Sequence, residues 1–160
     1  MLRQFSYFTI LFLLVSCDSK SVYSSFESVD NSWKEGEKIS FDFKSPDSIQ
    51  KYNLYVLIRN DENYAFSNLY LIVGMDFPNG NRVVDTLQYE MAKPDGTWLG
   101  EGFTSLKESK LWYKEDIIFS VQGEYKVQIE HAMRINGKVE GVKTLEGIKD
   151  IGFKIEATTN

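Results

Sequence analysis

Apolar and polar residues alternate along most of this chain with a period of two, the spacing of half-buried β-strands. Two segments show it clearly: Ile39, Phe41 and Phe43 share one face, and so do Tyr125, Val127, Ile129, His131 and Met133. The segments 52–58 and 69–77 are apolar at nearly every position, so 52–58 is predicted to be a central strand covered on both faces. Residues 82–91, 111–121 and 151–155 complete the predicted strands.

Turn signals separate these strands. Asn79-Gly80 and Asn136-Gly137 are hairpin candidates, and Pro94-Asp95-Gly96 predicts a tight turn. Residues 98–110 are expected to form a longer connection, and Leu145 to Lys149 a single helical turn. Seven or eight short strands without a long helix predict an all-β fold, either a sandwich or a barrel. We expect an antiparallel, jelly-roll-like β-sandwich over residues 33–157.

The N-terminus has the pattern of a lipoprotein signal peptide. Arg3 precedes an apolar stretch of eleven residues, 5–15, and a small residue, Ser16, stands before Cys17. A spanning helix needs about 20 apolar residues, so a transmembrane segment is not expected. We therefore expect residues 1–16 to be removed and Cys17 to carry acyl chains of the palmitate type. A plain signal peptide with a chance cysteine is the alternative.

Residues 17–32 include six serines and few large apolar side chains. This composition is typical of a flexible tether between the lipidated cysteine and the folded domain. Tyr23 and Phe26 leave open the alternative that part of this segment adds a strand to the domain.

The charge balance argues against a nucleic-acid partner. Without residues 1–16 the chain has 17 basic and 23 acidic residues, a net charge of −6, since Arg3 is the only charged residue removed. Cys17 is the only cysteine, so no disulfide is possible within the chain.

Few residues suggest catalysis. His131 is the only histidine and lies on the apolar face of its predicted strand, which favours a core position over a metal ligand. Asp85 and Glu115 share strand faces with apolar residues, so a glycosidase-like pair remains a weaker hypothesis. A calcium loop is a further alternative, although no stretch has EF-hand spacing. We expect no enzyme activity, no cofactor and no metal.

Aromatic residues offer a better case for binding. Trp98 lies in a glycine-bounded connection, and Trp112 and Tyr113 are adjacent on a predicted strand. Neighbouring strand residues face opposite sides, so one of Trp112 and Tyr113 is expected to be exposed. Exposed aromatic rings can stack on sugars or bind a protein partner. The alternative is that all three cover the core.

The chain also resembles a known family. The signal pattern is followed by characteristic blocks at 52–60, 94–102, 110–115, 123–125, 131–134, 147–148 and 150–153. Their order resembles that of the gliding motility lipoprotein GldH family of the Bacteroidetes, and the similarity extends over essentially the whole chain.

The resemblance implies a lipid-anchored cell-envelope protein of the gliding and associated protein-secretion machinery, in the outer membrane and facing the periplasm. It implies no catalytic residues, and Cys17 as the lipid attachment site. The expected partners are the membrane, through the acyl chains, and other gliding or secretion proteins. A lipid-anchored carbohydrate-binding module that uses the exposed aromatics is the alternative function.

Overall fold

The computed structural model describes residues 20–30 and 32–158. The predicted signal peptide and Cys17 lie outside the described residues. Ten strands form in chain order: β1 (Ser21–Ser28), β2 (Ser32–Lys34), β3 (Ile39–Lys44), β4 (Tyr52–Asn60), β5 (Asn68–Asp76), β6 (Arg82–Glu90), β7 (Lys107–Ile117), β8 (Glu124–His131), β9 (Thr144–Glu146) and β10 (Ile148–Ala157). No helix within these two ranges is long and apolar enough to cross a membrane.

The eight longer strands form two antiparallel four-stranded sheets, in the orders β1-β10-β4-β7 and β3-β8-β5-β6. We call them the first and second sheets. Strand β1 pairs with β10, β3 with β8, β4 with β7, and β5 with β6. Counted among the eight longer strands, the first therefore pairs with the last, the second with the second from last, and so on inward. This is the pairing of a jelly roll, so the predicted fold is confirmed. Strands β2 and β9 form a separate two-stranded ribbon.

The core lies between the two sheets and is built by the period-two pattern. Leu54, Val56 and Ile58 point inward from β4, and every second residue of β5, β8 and β10 meets them. The aromatic rings of Phe41, Phe43, Tyr125 and Phe153 stack at centroid distances between 5.5 and 6.1 Å at the centre. The continuous apolar run of β4 is buried on its outer face too, because Tyr55 and Leu57 are only 4% and 3% exposed. The prediction of a central strand covered on both faces is therefore confirmed.

The tether prediction for residues 17–32 is wrong for its described part. Residues 21–28 form the edge strand β1, which pairs with β10 along nearly its whole length, and β2 begins at Ser32. Tyr23 packs on Phe43 and Phe153 inside the sandwich, while Phe26 lies on the outer face. The alternative strand assignment for Tyr23 and Phe26 was the correct one.

Three further details differ from the sequence predictions. Leu145 to Lys149 is not a helical turn, since it contains β9, a turn at Gly147 and the start of β10. Strand β7 begins at Lys107, so the connection before it is shorter than expected. The Asn136-Gly137 turn lies inside the loop between β8 and β9 and is flanked by one isolated bridge, Arg134 to Gly141, in place of a strand pair. The turn at Asn79-Gly80 joins β5 to β6 as predicted.

Candidate interaction surfaces

The structure separates the three aromatic residues that the sequence singled out. Trp112 is 49% exposed on the outer face of the first sheet, whereas Tyr113 is 8% exposed and faces the interior. Trp98 is half-buried and packs against Tyr64, with ring centroids 6.1 Å apart. The prediction that one of Trp112 and Tyr113 is exposed is confirmed, and Tyr113 is the buried one. Tyr113 and Trp98 therefore do not join Trp112 in one exposed surface, and Tyr113 is not available as a binding residue.

Tyr113 faces inward because it continues the alternation of β7, in which Ser109 and Leu111 are also buried, and β7 carries a bulge at this position. Leu54 and Tyr55 of β4 pair with Lys114 and Trp112, so Tyr113 has no partner of its own in the register. Its ring meets Phe153, and its hydroxyl donates a hydrogen bond to Asp85 Oδ2 at 3.1 Å. Burial raises the pKa of Tyr113, and the negative charge of Asp85 raises it further.

Trp112 belongs to a small cluster, which we call the Trp112 patch: Trp112, Tyr55, Lys110, Lys154 and Glu156. The Trp112 and Tyr55 rings are 4.6 Å apart and tilted by 51°, and Lys110 Nζ lies 4.1 Å from the Tyr55 centroid. The two lysines hold the Glu156 carboxylate at 2.7 Å and 2.8 Å. Cross-strand neighbours on β7, β4 and β10 bring these groups together.

The electrostatics of the Trp112 patch follow from its ion pairs. Burial by itself raises the pKa of Glu156, but hydrogen bonds from Lys110 and Lys154 outweigh it and hold the pKa below its usual value. Burial raises the pKa of Tyr55, with the charge of Glu156 adding to the shift. The patch therefore presents one exposed indole ring on a rigid, ion-paired base, an arrangement suited to a protein or sugar contact.

The second sheet has an outer groove that the sequence reasoning missed. Its volume is about 910 Å³, and it lies between the outer side of β5 and β6 and the loop after β8. It is lined by apolar Phe66, Tyr70, Ile72, Ala132 and Ile135, and by polar Asn68, Thr86, Arg134, Asn136, Gly137 and Lys138. The start of the loop is held beside β5 by the hydrogen bond from Ala132 N to Tyr70 O, at 2.8 Å, which continues the pairing of β5 with β8. The sequence contains a signal for this groove. Residues 69–73 are apolar on both faces of the strand, so Tyr70 and Ile72 require other residues to bury them on the outer face.

Neither candidate catalytic acid, Asp85 or Glu115, lines the outer groove. Asp85 is held by Lys114, at 2.9 Å, and by the Tyr113 hydroxyl, while Glu115 is exposed. Within residues 20–30 and 32–158 there is no group of three or more His, Cys, Asp or Glu side chains that could hold a metal ion.

His131 is a core residue, as its position in the pattern indicates. It is 4% exposed, its Nε2 lies 3.1 Å from the Trp33 carbonyl oxygen, and its ring meets the Trp33 indole edge-on at 5.4 Å. Because a carbonyl only accepts, Nε2 carries the proton, and Nδ1 is buried without a hydrogen-bond partner among the described residues. Burial lowers the pKa of His131, and the hydrogen bond to Trp33 opposes this only in part.

Comparisons with known proteins agree with the resemblance seen in the sequence. A family model described as GldH lipoprotein matches residues 21–155. A gliding motility lipoprotein GldH of Flavobacterium johnsoniae is 52% identical over 144 residues, covering 90% of this chain and 89% of that protein. A gliding motility lipoprotein GldH homolog of Christiangramia forsetii is 47% identical over 159 residues, covering 98% of each chain.

Similarity to solved structures is much weaker. A family GH115 4-O-methyl-alpha-glucuronidase aligns with a TM-score of 0.46 and 11% identity, over 89% of this chain and 18% of that enzyme. The VP2 subviral particle of infectious bursal disease virus aligns with a TM-score of 0.38 and 16% identity, over 88% of this chain and 34% of that protein. At these scores neither alignment carries a functional argument.

Proposed function

The chain belongs to the GldH lipoprotein family, and we propose that it is a non-enzymatic, lipid-anchored envelope component of the gliding motility and associated protein-secretion machinery. The chain matches two relatives that are named for gliding motility, and it does so along almost their full length. This match is the observation that carries the proposal. The protein acts by holding a rigid β-sandwich at the membrane and contacting other envelope proteins.

The anchor is the acylated Cys17, in the outer membrane and facing the periplasm. Its support is the sequence pattern around Cys17 together with the family's name as a lipoprotein. Mass spectrometry of the protein purified from membranes should find the mature chain beginning at Cys17 with acyl chains attached. Cys17→Ser should release the protein from the membrane fraction, and an unmodified thiol on a soluble chain would disprove the anchor.

The placement of the chemically reactive groups supports a role without catalysis. His131 is buried, Asp85 is neutralised by Lys114, and Glu115 points to solvent away from any described groove. A glycosidase needs two carboxyl groups facing one cleft, and these side chains do not provide that arrangement.

The central test is genetic. Deleting the gene should reduce spreading on agar and secretion of the machinery's substrates, and the wild-type gene should restore both. Normal spreading and normal secretion in the deletion strain would contradict the proposal.

The Trp112 patch is the proposed contact surface. Restoring the deletion strain with Trp112→Ala should give weaker spreading at normal protein level, because truncating a central aromatic residue of an interface often costs about 2 kcal/mol or more. Val84→Ala is the matched control, since Val84 is 57% exposed on an edge strand of the other sheet. Equal spreading of the two variants would remove the patch from the proposal.

The carbohydrate-binding alternative has one observation in its favour, the exposed Trp112 ring beside Tyr55. Titration with polysaccharide fragments, followed by tryptophan fluorescence, tests it. Sugar binding should change the emission of the wild type and not of Trp112→Ala. No change across a broad panel of fragments would exclude this function.

A further inference from the structure

One end of the sandwich collects the ends of all four strands of the first sheet. Ser21 is opposite Glu156, Ala157 is opposite Tyr52, and Tyr52 is opposite Ile117. The loops 45–51 and 118–123 extend from this end and are joined by the hydrogen bond from Ser45 N to Gly123 O, at 2.9 Å. We call these two loops, together with residues 20–22, the Ile49 end.

The Ile49 end is also where the chain arrives from Cys17. Ala157 N donates a hydrogen bond to Lys20 O at 2.8 Å, which fixes Lys20 on the domain. Only two residues, Asp18 and Ser19, lie between Cys17 and Lys20, so their Cα atoms are at most about 11 Å apart even in a fully extended chain. If Cys17 is acylated, this short connection keeps the Ile49 end next to the lipid headgroups.

This end exposes isolated apolar side chains. Ile49 is 87% exposed, Ile118 50% and Val22 50%. The tip that carries Ile49 is stabilised by the Asp47 carboxylate, which accepts hydrogen bonds from the backbone N–H groups of Ile49 and Gln50, both at 2.9 Å. Apolar side chains on a stabilised tip lose little conformational entropy when they enter a lipid interface.

We infer that the Ile49 end docks on the bilayer surface, with Ile49 and Ile118 inserted among the lipid headgroups. This inference rests on the proposed acylation of Cys17. Both lysines and carboxylates occur at this end, including Lys51, Asp47 and Asp116, so the interaction is apolar insertion and not attraction to anionic lipid.

Docking fixes which surfaces face the periplasmic space. Strands of nine residues are about 30 Å long, so the opposite end of the sandwich stands about that far from the membrane. That end carries the loop between β8 and β9 and the outer groove beneath it. The groove, and the Trp112 patch on the outer face of the first sheet, are then open to protein partners, while the loop tips of the Ile49 end are closed to them.

The test is a measurement of depth in the membrane. Cys17 is the only native cysteine, so in the acylated full-length protein Ile49→Cys provides a single free thiol for an environment-sensitive dye. Val139→Cys is the matched control, because Val139 is 88% exposed and lies at the opposite end. Each labelled protein is inserted in phosphatidylcholine vesicles that contain headgroup spin-labelled lipid.

The expected result is a blue-shifted dye with several-fold stronger quenching at position 49 than at position 139. Equal quenching at the two positions would overturn the inference, as would quenching that appears only after phosphatidylglycerol is added. Mass spectrometry of the same samples separates the two proposals. An acylated Cys17 with an unquenched dye at position 49 refutes the docking alone, whereas an unmodified Cys17 refutes the anchor and the docking together.

Discussion

Two glycines with the same backbone conformation offer a matched test of the packing. Gly147 lies between β9 and β10, Gly137 lies in the loop after β8, and both have φ of 81°. The left-handed conformation costs an alanine about 1–2 kcal/mol, so this term is common to Gly147→Ala and Gly137→Ala. The surroundings of the two glycines differ.

A Cβ atom at Gly147 would lie 2.1 Å from the backbone nitrogen of Tyr64 and 2.6 Å from the carbonyl carbon of Asn63. No atom lies within 4 Å of a Cβ at Gly137. The crowding atoms are backbone, so relief requires moving the 61–64 turn away from Gly147. That movement strains the hydrogen bond from Asp61 N to Gly147 O, at 2.9 Å, and the buried Tyr64 ring.

Overpacking of this kind typically costs about 1–3 kcal/mol. We therefore expect Gly147→Ala to lower the free energy of unfolding by about 2–5 kcal/mol and Gly137→Ala by about 1–2 kcal/mol. Urea titration followed by tryptophan fluorescence measures both. Equal losses in the two variants would show that the contact between Gly147 and the 61–64 turn contributes nothing, and would refute the reasoning.

Three other changes test separate contacts. Gly152→Ala should destabilise the protein by about 1–2 kcal/mol, because the new Cβ would lie 2.7 Å from the Phe26 ring. The loss should be smaller in a Phe26→Ala background, where that ring is absent. A double-mutant cycle measured by urea unfolding that shows no coupling between the two positions would contradict this. Burial lowers the pKa of His131 in the folded protein, so the folded state favours the neutral imidazole. The contribution of His131 to the free energy of unfolding is therefore complete above the unfolded-state pKa of about 6.5, and it is lost as the pH falls through the folded-state pKa. Urea midpoints should therefore fall on acidification below about pH 6.5, less so in His131→Phe, and an identical decline in both proteins would argue against this. Tyr89→Phe removes the 2.5 Å hydrogen bond from the Tyr89 hydroxyl to the Trp112 carbonyl oxygen. This change should lower the free energy of unfolding by about 0.5–1.5 kcal/mol and shift the tryptophan emission. An unchanged urea midpoint would show that this hydrogen bond does not contribute to stability.

The period-two pattern was sufficient to predict most of the fold. Alternation identified β3, β6, β7, β8 and β10, and continuous apolar runs identified β4 and β5, which together predict the jelly-roll-like sandwich. Alternation could not find β2 and β9, which are three residues long and too short to show a period. Strand β1 was hidden for another reason: its two aromatic residues, Tyr23 and Phe26, face opposite sides, and serines occupy most of the remaining positions.

The candidate surface was only partly predictable. Alternation correctly required Trp112 and Tyr113 to face opposite sides, but which one is exposed depends on where the second sheet lies. Nothing local to Trp98 shows that its ring packs on Tyr64, more than thirty positions away in the chain. The outer groove depends on a loop that folds back over β5, and such long-range packing is decided by the whole fold.

The pairing of the first strand with the last has a consequence for biosynthesis. Strand β10 lies between β1 and β4, so both lack this neighbour until Ile148–Ala157 leave the ribosome. Until then the edges of β1 and β4 that pair with β10 have no hydrogen-bonding partner and are prone to aggregate. Closing such distant contacts is intrinsically slow. We therefore expect the nascent chain to need protection from aggregation until β10 has been made, and a truncation that removes β10 to prevent folding.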